Sequence, residues 1–268
     1  MRIEHNHQQP IQLVQITDSH LGDQSGDALL GMDTDTSLNH VIDLIKPRCP
    51  QVLLATGDIS HAATVASYQR FHQLTHGLAE HSLWLPGNHD DVVNMQQAMA
   101  GETVLNRFMQ IGNWHLLMLN SAVAGKVGGS LVATELEFLR DCLQRSTGSH
   151  VLVCLHHHPI TIGCEWLDDQ QVDNAEQFFE ILDEFDHVRA VLWGHIHQEV
   201  DELRNGVRLL ASPSSCIQFA PQSKDFKLDR LNPGFRWLEL HADGSLDTGV
   251  ERITGVELEI NYSHSSGY

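Results

Sequence analysis

Short, continuous apolar runs recur along the chain, each followed by a polar loop. Residues 11–16 (IQLVQI), 52–55 (VLLA), 83–85, 114–119, 151–155 (VLVCL) and 190–193 are predicted strands. Runs this continuous predict strands buried on both faces. Helix-period segments lie between them. Leu38, Val41, Ile42 and Ile45 fall at i, i+3, i+4 and i+7, and Pro47 ends that helix. Tyr68, Phe71, Leu74 and Leu78 form a looser stripe, and Phe178, Ile181, Leu182 and Phe185 another. The TELE sequence at 134–137 reads as a capping box ahead of Leu136, Leu139 and Leu143. After His197 the pattern changes to strands at 207–211, 235–240 and 246–253. Residues 212–233, with Pro213, Pro221 and Pro233, are expected to form a long irregular loop of the kind that often carries function. The tail at 261–268 is expected to fray. Alternating strands and helices followed by strands predict an α/β layered fold. We read it as one domain over 1–268 with its core at 10–255.

Composition narrows the partners. The 268 residues can bury a large core without disulfide staples. A formal net charge of −19, from 35 acids and 16 Lys plus Arg, argues against nucleic-acid binding and against an anionic membrane surface. Bound divalent metal would neutralise an anionic substrate that side chains cannot. Five cysteines (Cys49, Cys142, Cys154, Cys164 and Cys216) form no C-x-x-C pair. That odd count, with no apolar leader and no apolar run of membrane-spanning length, predicts reduced thiols in a cytoplasmic protein. Cys164 and Cys216 read as packed, inert thiols.

Histidine, with 19 copies, matters through its spacing. Five motifs stand where predicted strands stop: Asp18-Ser19-His20, Gly57-Asp58, Gly87-Asn88-His89-Asp90, His156-His157-His158-Pro159 and Gly194-His195-Ile196-His197. Each alone is a common turn or surface pattern. The last is the most specific, because alternate residues of an extended segment point the same way. Ligands of α/β sheets bind beyond the carboxyl ends of strands, so five such ends would deliver Asp18, His20, Asp58, Asn88, His156, His195 and His197 to one region. Mixed imidazole and carboxylate suits Zn, Fe, Mn or Ni, and without thiolates it is no zinc knuckle. Seven ligands exceed one ion and fit two that share a carboxylate. Such pairs sit roughly 3.5–4 Å apart, clamp the attacking and leaving oxygens of a phosphoester, and lower the pKa of a bridging water.

These motifs resemble those of the calcineurin-like metallophosphoesterase superfamily, in its order and over most of the chain. The resemblance implies an αββα sandwich with the metals at one sheet edge. Carried over by position, one ion would take Asp18, His20, Asp58 and His197, and the other Asp58, Asn88, His156 and His195, with Asp58 bridging. The family's H-H-P-P is H-H-H-P here, so strand alignment favours His156, with His157 as the alternative. His89 matches the histidine that touches substrate phosphate or protonates the leaving group. Substrate contacts would come from His20, Asp58, Asn88, His89 and His197, with Asn88 and His89 as the catalytic pair.

The Arg that follows Gly-Asp in protein Ser/Thr phosphatases is missing from 57–62, and the metal-binding Tyr of purple acid phosphatases is replaced by His61. Both departures favour a small diester, which carries less charge than a monoester. HHHPITIGCEWLD, GHIHQEVD, ASPSSCIQFAP, LPGNHD and ELHADG closely resemble bacterial class III 3′,5′-cyclic AMP phosphodiesterases. This implies hydrolysis of cyclic AMP to 5′-AMP by a hydroxide bridging two ions, Fe²⁺ or Mn²⁺ with Zn²⁺ as a third choice, lowering cyclic AMP signalling. The alternatives are a broader diesterase, acting on 2′,3′-cyclic nucleotides or glycerophosphodiesters, and a catalytically dead scaffold. Cyclic AMP and AMP are the expected ligands. Oligomeric state stays open, a homodimer included. Trp166 or Phe219 could stack on adenine, but the favoured reading is that both pack beneath the loop.

Overall fold

Alternate residues of each buried strand face different apolar layers. Val52 and Leu54 point into a layer shared with Leu13, Leu152 and Leu192. Their neighbours Leu53 and Ala55 pack with Val41, Ile45 and Phe71 of the helices outside. In the same way Leu152 and Cys154 face inward, while Val151 and Val153 meet Leu139 and Phe178 on the other side. Three apolar layers sandwiched by two sheets and two helical shells are an αββα architecture, and they explain why the strand sequences are continuously hydrophobic.

The computed structural model describes residues 1–6 and 8–263, so the end of the expected frayed tail, 264–268, lies outside it. One sheet has seven strands in the order Arg2–Ile3, Phe108–Ile111, Trp114–Met118, His150–Cys154, Val188–Trp193, Val207–Ala211 and Val200–Arg204. The other has five: Leu246–Arg252, Gly234–Leu240, Ile11–Ile16, Val52–Thr56 and His81–Leu85. The strands at 11–16, 52–56 and 81–85 are mutually parallel, as are those at 114–118, 150–154, 188–193 and 207–211. Helices Thr34–Ile45 and Val65–Thr75 cover the five-stranded sheet. Ala133–Arg145 and Ala175–Asp183 cover the other. Among the described residues no helix is long and apolar enough to cross a membrane.

The predicted elements exist, with strand ends displaced by a residue or two, while the stripe residues Leu78 and Phe185 lie beyond helices Val65–Thr75 and Ala175–Asp183. Strands Phe108–Ile111 and Val200–Arg204, helix Val92–Ala98 and the helical turn Glu165–Asp168 were not expected. The capping box is a correction. Thr134 lies inside the helix, whose N-cap is Val132 and has no side-chain cap. Glu135, in the first turn, accepts from the Arg107 guanidinium at 2.6 Å and the Asn120 N–H at 3.0 Å. The expected loop at 212–233 is irregular apart from one bridge, Phe219 to Leu228. It is not loose, because Ser212 and residues 214–219 are buried.

Candidate metal centre

The five motifs leave the carboxyl ends of Ile11–Ile16, Val52–Thr56 and His81–Leu85 in one sheet and of His150–Cys154 and Val188–Trp193 in the other. The site therefore straddles the ends of both sheets. The first two loops continue the parallel pairing of their strands: Asp18 N–H donates to Gly57 O at 3.0 Å and His20 N–H to Asp58 O at 2.9 Å. From the other side Ser215 N–H donates to Thr17 O at 3.0 Å and Ser214 Oγ to Asp18 O at 2.7 Å. The buried 212–215 segment thus pins the first loop.

Glycines let the loops approach. A Cβ on Gly57 would lie 2.3 Å from His156 Nδ1, and one on Gly194 would lie 2.7 Å from Asp18 Oδ2. Backbone conformation is unusual at the same place: Asp18, His20, Asp58, His195 and His197 have φ of 55°, 47°, 47°, 65° and 49°. Left-handed non-glycine residues cost about 1–3 kcal/mol each and cluster at functional sites. They also correct one expectation. His195 and His197 face the same way through two left-handed residues about Ile196, whose N–H closes on Gly194 O at 2.7 Å, and not through an extended segment.

Donor atoms converge. His197 Nε2 stands 3.3 Å from Asp18 Oδ1 and 3.3 Å from His20 Nε2. His156 Nε2 is 3.3 Å from Asp58 Oδ2, 3.2 Å from Asn88 Oδ1 and 3.9 Å from Asp18 Oδ1. His20 Nε2 is 3.8 Å from Asp58 Oδ2. The grouped donors here are Asp18 with His20 and His197, Asp18 with Asp58 and His156, His156 with His157 and His195, and His20 with His61 and His89. His156 Nδ1 contacts Thr56 O and His197 Nδ1 contacts Ile217 O, both at 2.8 Å. A ring that donates through Nδ1 offers its Nε2 lone pair, as metal-binding imidazoles do. His195 Nε2 is buried with no hydrogen-bond partner among the described residues. That vacant valence, the mixed donor set and the convergence fit divalent ions.

His157 is engaged elsewhere, with Nδ1 2.8 Å from Ser121 Oγ and Nε2 3.0 Å from Val127 O. His158 lies parallel to His195 with ring centres 5.7 Å apart. Of the triple histidine, His156 is the one turned towards both Asp58 and Asn88. His89 and His61 stand with His20 at the open side, with ring centres 4.9 Å (His20 to His89) and 5.1 Å (His61 to His89) apart.

Electrostatics follow from burial and neighbours. Burial alone pushes the Asp58 carboxyl up, yet His156 beside it, with His89 and His20, holds it well below the usual carboxylate range. Burial pushes the His20 ring down, Asp58 opposes this, His89 and His197 add to it, and the ring falls well below its ordinary value. Burial does the same to His195, with help from His157, His156 and His158. Neutral imidazoles are the form that binds metal. Asp90, which ends the Gly87-Asn88-His89-Asp90 motif, accepts from the N–H groups of Gly87 (2.8 Å), Ser60 (3.1 Å) and Ile59 (3.2 Å), tying two loops together. Burial, then Asp58, raises it to about 7.

A cavity of about 290 Å³ opens over this floor. His20, Asp58, Asn88, His89, His195 and His197 line one half. Val127, Trp166, Gln170, Phe219 and Phe226 line the other. Phe219 lies flat on His197, with centres 4.1 Å apart and planes at 11°, so one of its faces is already taken. Trp166 meets Phe219 edge-on at 5.0 Å. Both aromatics therefore pack together and border the cavity. The chain has four lysines, and three of them, Lys126, Lys224 and Lys227, neighbour Val127 or Phe226 in sequence. All three are exposed.

Fold and site together define a metal-dependent phosphoesterase. The calcineurin-like phosphoesterase model matches residues 11–199, and the chain belongs to that family. The family fold implies a binuclear divalent metal centre. Curated relatives are more particular. The 3′,5′-cyclic adenosine monophosphate phosphodiesterase CpdA of Pseudomonas aeruginosa is 44% identical over 258 residues, which cover 96% of this chain and 94% of that protein. CpdA of Escherichia coli K12 is 40% identical over 262 residues, 96% and 95% of the two chains. Among solved structures, a purple acid phosphatase from yellow lupin aligns with TM-score 0.66 at 13% identity, over 92% of this chain and 52% of that one. A dimetal phosphatase from Danio rerio aligns with TM-score 0.61 at 14% identity, over 94% and 99%. These two likenesses concern the fold.

Proposed function

We infer that this chain is a phosphodiesterase that hydrolyses 3′,5′-cyclic AMP to 5′-AMP and so lowers cyclic AMP. The observation that carries this reading is the match to two CpdA enzymes at 44% and 40% identity over 96% of the chain. The ligand-type residues of all five motifs meet in one place, which supports an active enzyme over a dead scaffold.

Asp18, His20, Asp58 and His197 are assigned to one ion and Asp58, Asn88, His156 and His195 to the other. The mixed imidazole and carboxylate donor set favours a transition metal over Mg²⁺ or Ca²⁺, and the family resemblance puts Fe²⁺ or Mn²⁺ first with Zn²⁺ next. When bound, the ions supply a deprotonated water at neutral pH and neutralise the phosphate. The chain's own groups do the rest. Thr56 and Ile217 carbonyls fix the tautomers of His156 and His197. The His89 N–H donates to Asp58 Oδ1 at 2.9 Å, leaving Oδ2 to face His156 and His20. Water oxygen forms the new bond to phosphorus, the P–O3′ bond breaks, and O3′ takes a proton. His89, lining the cavity above Asp58 and Asn88, is assigned to hydrogen-bond that oxygen or deliver the proton. The Asn88 amide stabilises the added negative charge. We place the enzyme in the cytoplasm, working as a single domain.

The test is a panel of cyclic AMP, cyclic GMP, 2′,3′-cyclic AMP and glycerophosphodiesters, given to Mn²⁺- or Fe²⁺-loaded protein. Cyclic AMP should give the highest kcat/KM. Faster turnover of a diester without a nucleoside would overturn the assignment.

A further inference from the structure

The two halves of the cavity differ in chemistry. The metal half is histidine, aspartate and asparagine, while the other half has three aromatic rings, one valine and one amide, and no charged side chain. An uncharged surface of that kind suits a flat heteroaromatic whose edge forms hydrogen bonds. The amide belongs to Gln170.

Gln170 is held by its backbone. Its N–H donates to Leu167 O at 2.8 Å, closing the helical turn Glu165–Asp168, and its carbonyl accepts from Gly129 N–H at 3.3 Å. A Cβ on Gly128 would stand 3.4 Å from Gln170 Cα, so the glycine loop and the residue lie in contact. A Cβ on Gly129 would lie 2.5 Å from His157 Cγ, so that loop packs directly against the histidine strand end. Gln170 itself is half-buried and lines the cavity. Beside it, Trp166 and Phe226 meet edge-to-face at 5.2 Å and 68°. The hairpin carrying Phe226 is closed by the Phe219 to Leu228 bridge and by Ala220 N–H donating to Lys227 O at 2.8 Å. Cys164 Sγ donates to Ser223 O at 3.3 Å and joins that hairpin to the turn carrying Trp166.

We propose that Gln170 is a specificity residue that reads the edge of the substrate's purine base, within a subsite walled by Trp166 and Phe226. A carboxamide places a donor and an acceptor side by side, as adenine does along its N6/N7 edge, and such bidentate pairs discriminate between bases. The inference rests on the cyclic-nucleotide reading of the same site and adds to it the group that selects the base.

Gln170→Ala and Gln170→Glu are compared with wild type on cyclic AMP, cyclic GMP and bis(4-nitrophenyl) phosphate, a diester with no base. In Gln170→Ala, the ratio of kcat/KM for cyclic AMP to that for the base-free diester should fall roughly tenfold, through KM, the size of one lost bidentate pair. Gln170→Glu replaces the donor with a second acceptor, which suits the adjacent N1–H and N2–H donors of guanine. It should raise the cyclic GMP to cyclic AMP ratio several-fold, a change that general loosening of the loop does not produce. Parallel loss on all three substrates, or no change, overturns the role of Gln170 while cyclic AMP hydrolysis by wild type stands. A wild type that does not hydrolyse cyclic AMP overturns the functional assignment itself.

Discussion

A hydrogen atom is all that fits between Gly87 and Asp58: a Cβ at Gly87 would stand 2.2 Å from Asp58 Oδ1 and 2.5 Å from its backbone nitrogen. The same Cβ would come within 2.7 Å of His156 Cε1. Backbone cannot yield as a flexible side chain can, so Gly87→Ala must separate the loop carrying Asn88 from the one carrying Asp58. Overpacking of this kind costs about 1–3 kcal/mol. Chemical denaturation should show that loss, and metal analysis should show the ion assigned to Asn88 and His156 depleted first.

His156 and His157 should separate cleanly. His156→Ala removes the imidazole that faces Asp58 and Asn88, so fewer than two ions should be retained and turnover should fall by orders of magnitude. His157→Ala leaves the Ser121 hydroxyl and the Val127 carbonyl without their ring partner. That change should lower stability by about 1–3 kcal/mol while two ions still bind. Loss of metal from the His157 variant alone would reverse the assignment.

Asn88→Ala deletes an amide oxygen 3.2 Å from His156 Nε2. It should weaken the second ion and cut kcat severely even at saturating Mn²⁺, as measured by steady-state kinetics alongside a metal titration. Full activity would contradict the role given to Asn88.

Three exposed lysines that lie within two residues of cavity-lining Val127 or Phe226 in sequence belong to a chain with formal net charge −19. Replacing Lys126, Lys224 and Lys227 together with Gln should lower kcat/KM for cyclic AMP several-fold at low salt. The difference from wild type should shrink at higher ionic strength, because exposed charges are screened over about 10 Å at 0.1 M salt. Stopped-flow or steady-state rates across a salt series read this directly.

Much of the fold was legible because its strands are buried on both faces: VLLA and VLVCL are apolar throughout since Leu53 and Leu54, or Leu152 and Val153, serve different layers. Val200–Arg204 was missed because as an edge strand it has charged, exposed residues and no apolar face. Its available signal was Asn205-Gly206, both at positive φ (50° and 83°), a pair that favours tight hairpins. Helix Val92–Ala98 buries only Met95 and leaves no stripe to read. In the site, the motifs named the residues that converge, since each ends a strand. What pins them could not be read, because it crosses the chain. Ser214 reaches Asp18 O, and Gln15 Nε2 donates to Thr56 Oγ1 at 2.6 Å and to Trp193 O at 3.1 Å, holding together strand ends from both sheets. Gln170 escaped notice because it lies outside every motif and reaches the cavity through the 165–170 turn.

The most direct test of a two-metal diesterase is to strip the protein with chelator, titrate it with Mn²⁺, and follow cyclic AMP hydrolysis and bound metal together. Activity should be absent without metal, rise with added ion and saturate at two ions per chain. Full activity with one ion or none, or two bound ions with no production of 5′-AMP, would contradict the account.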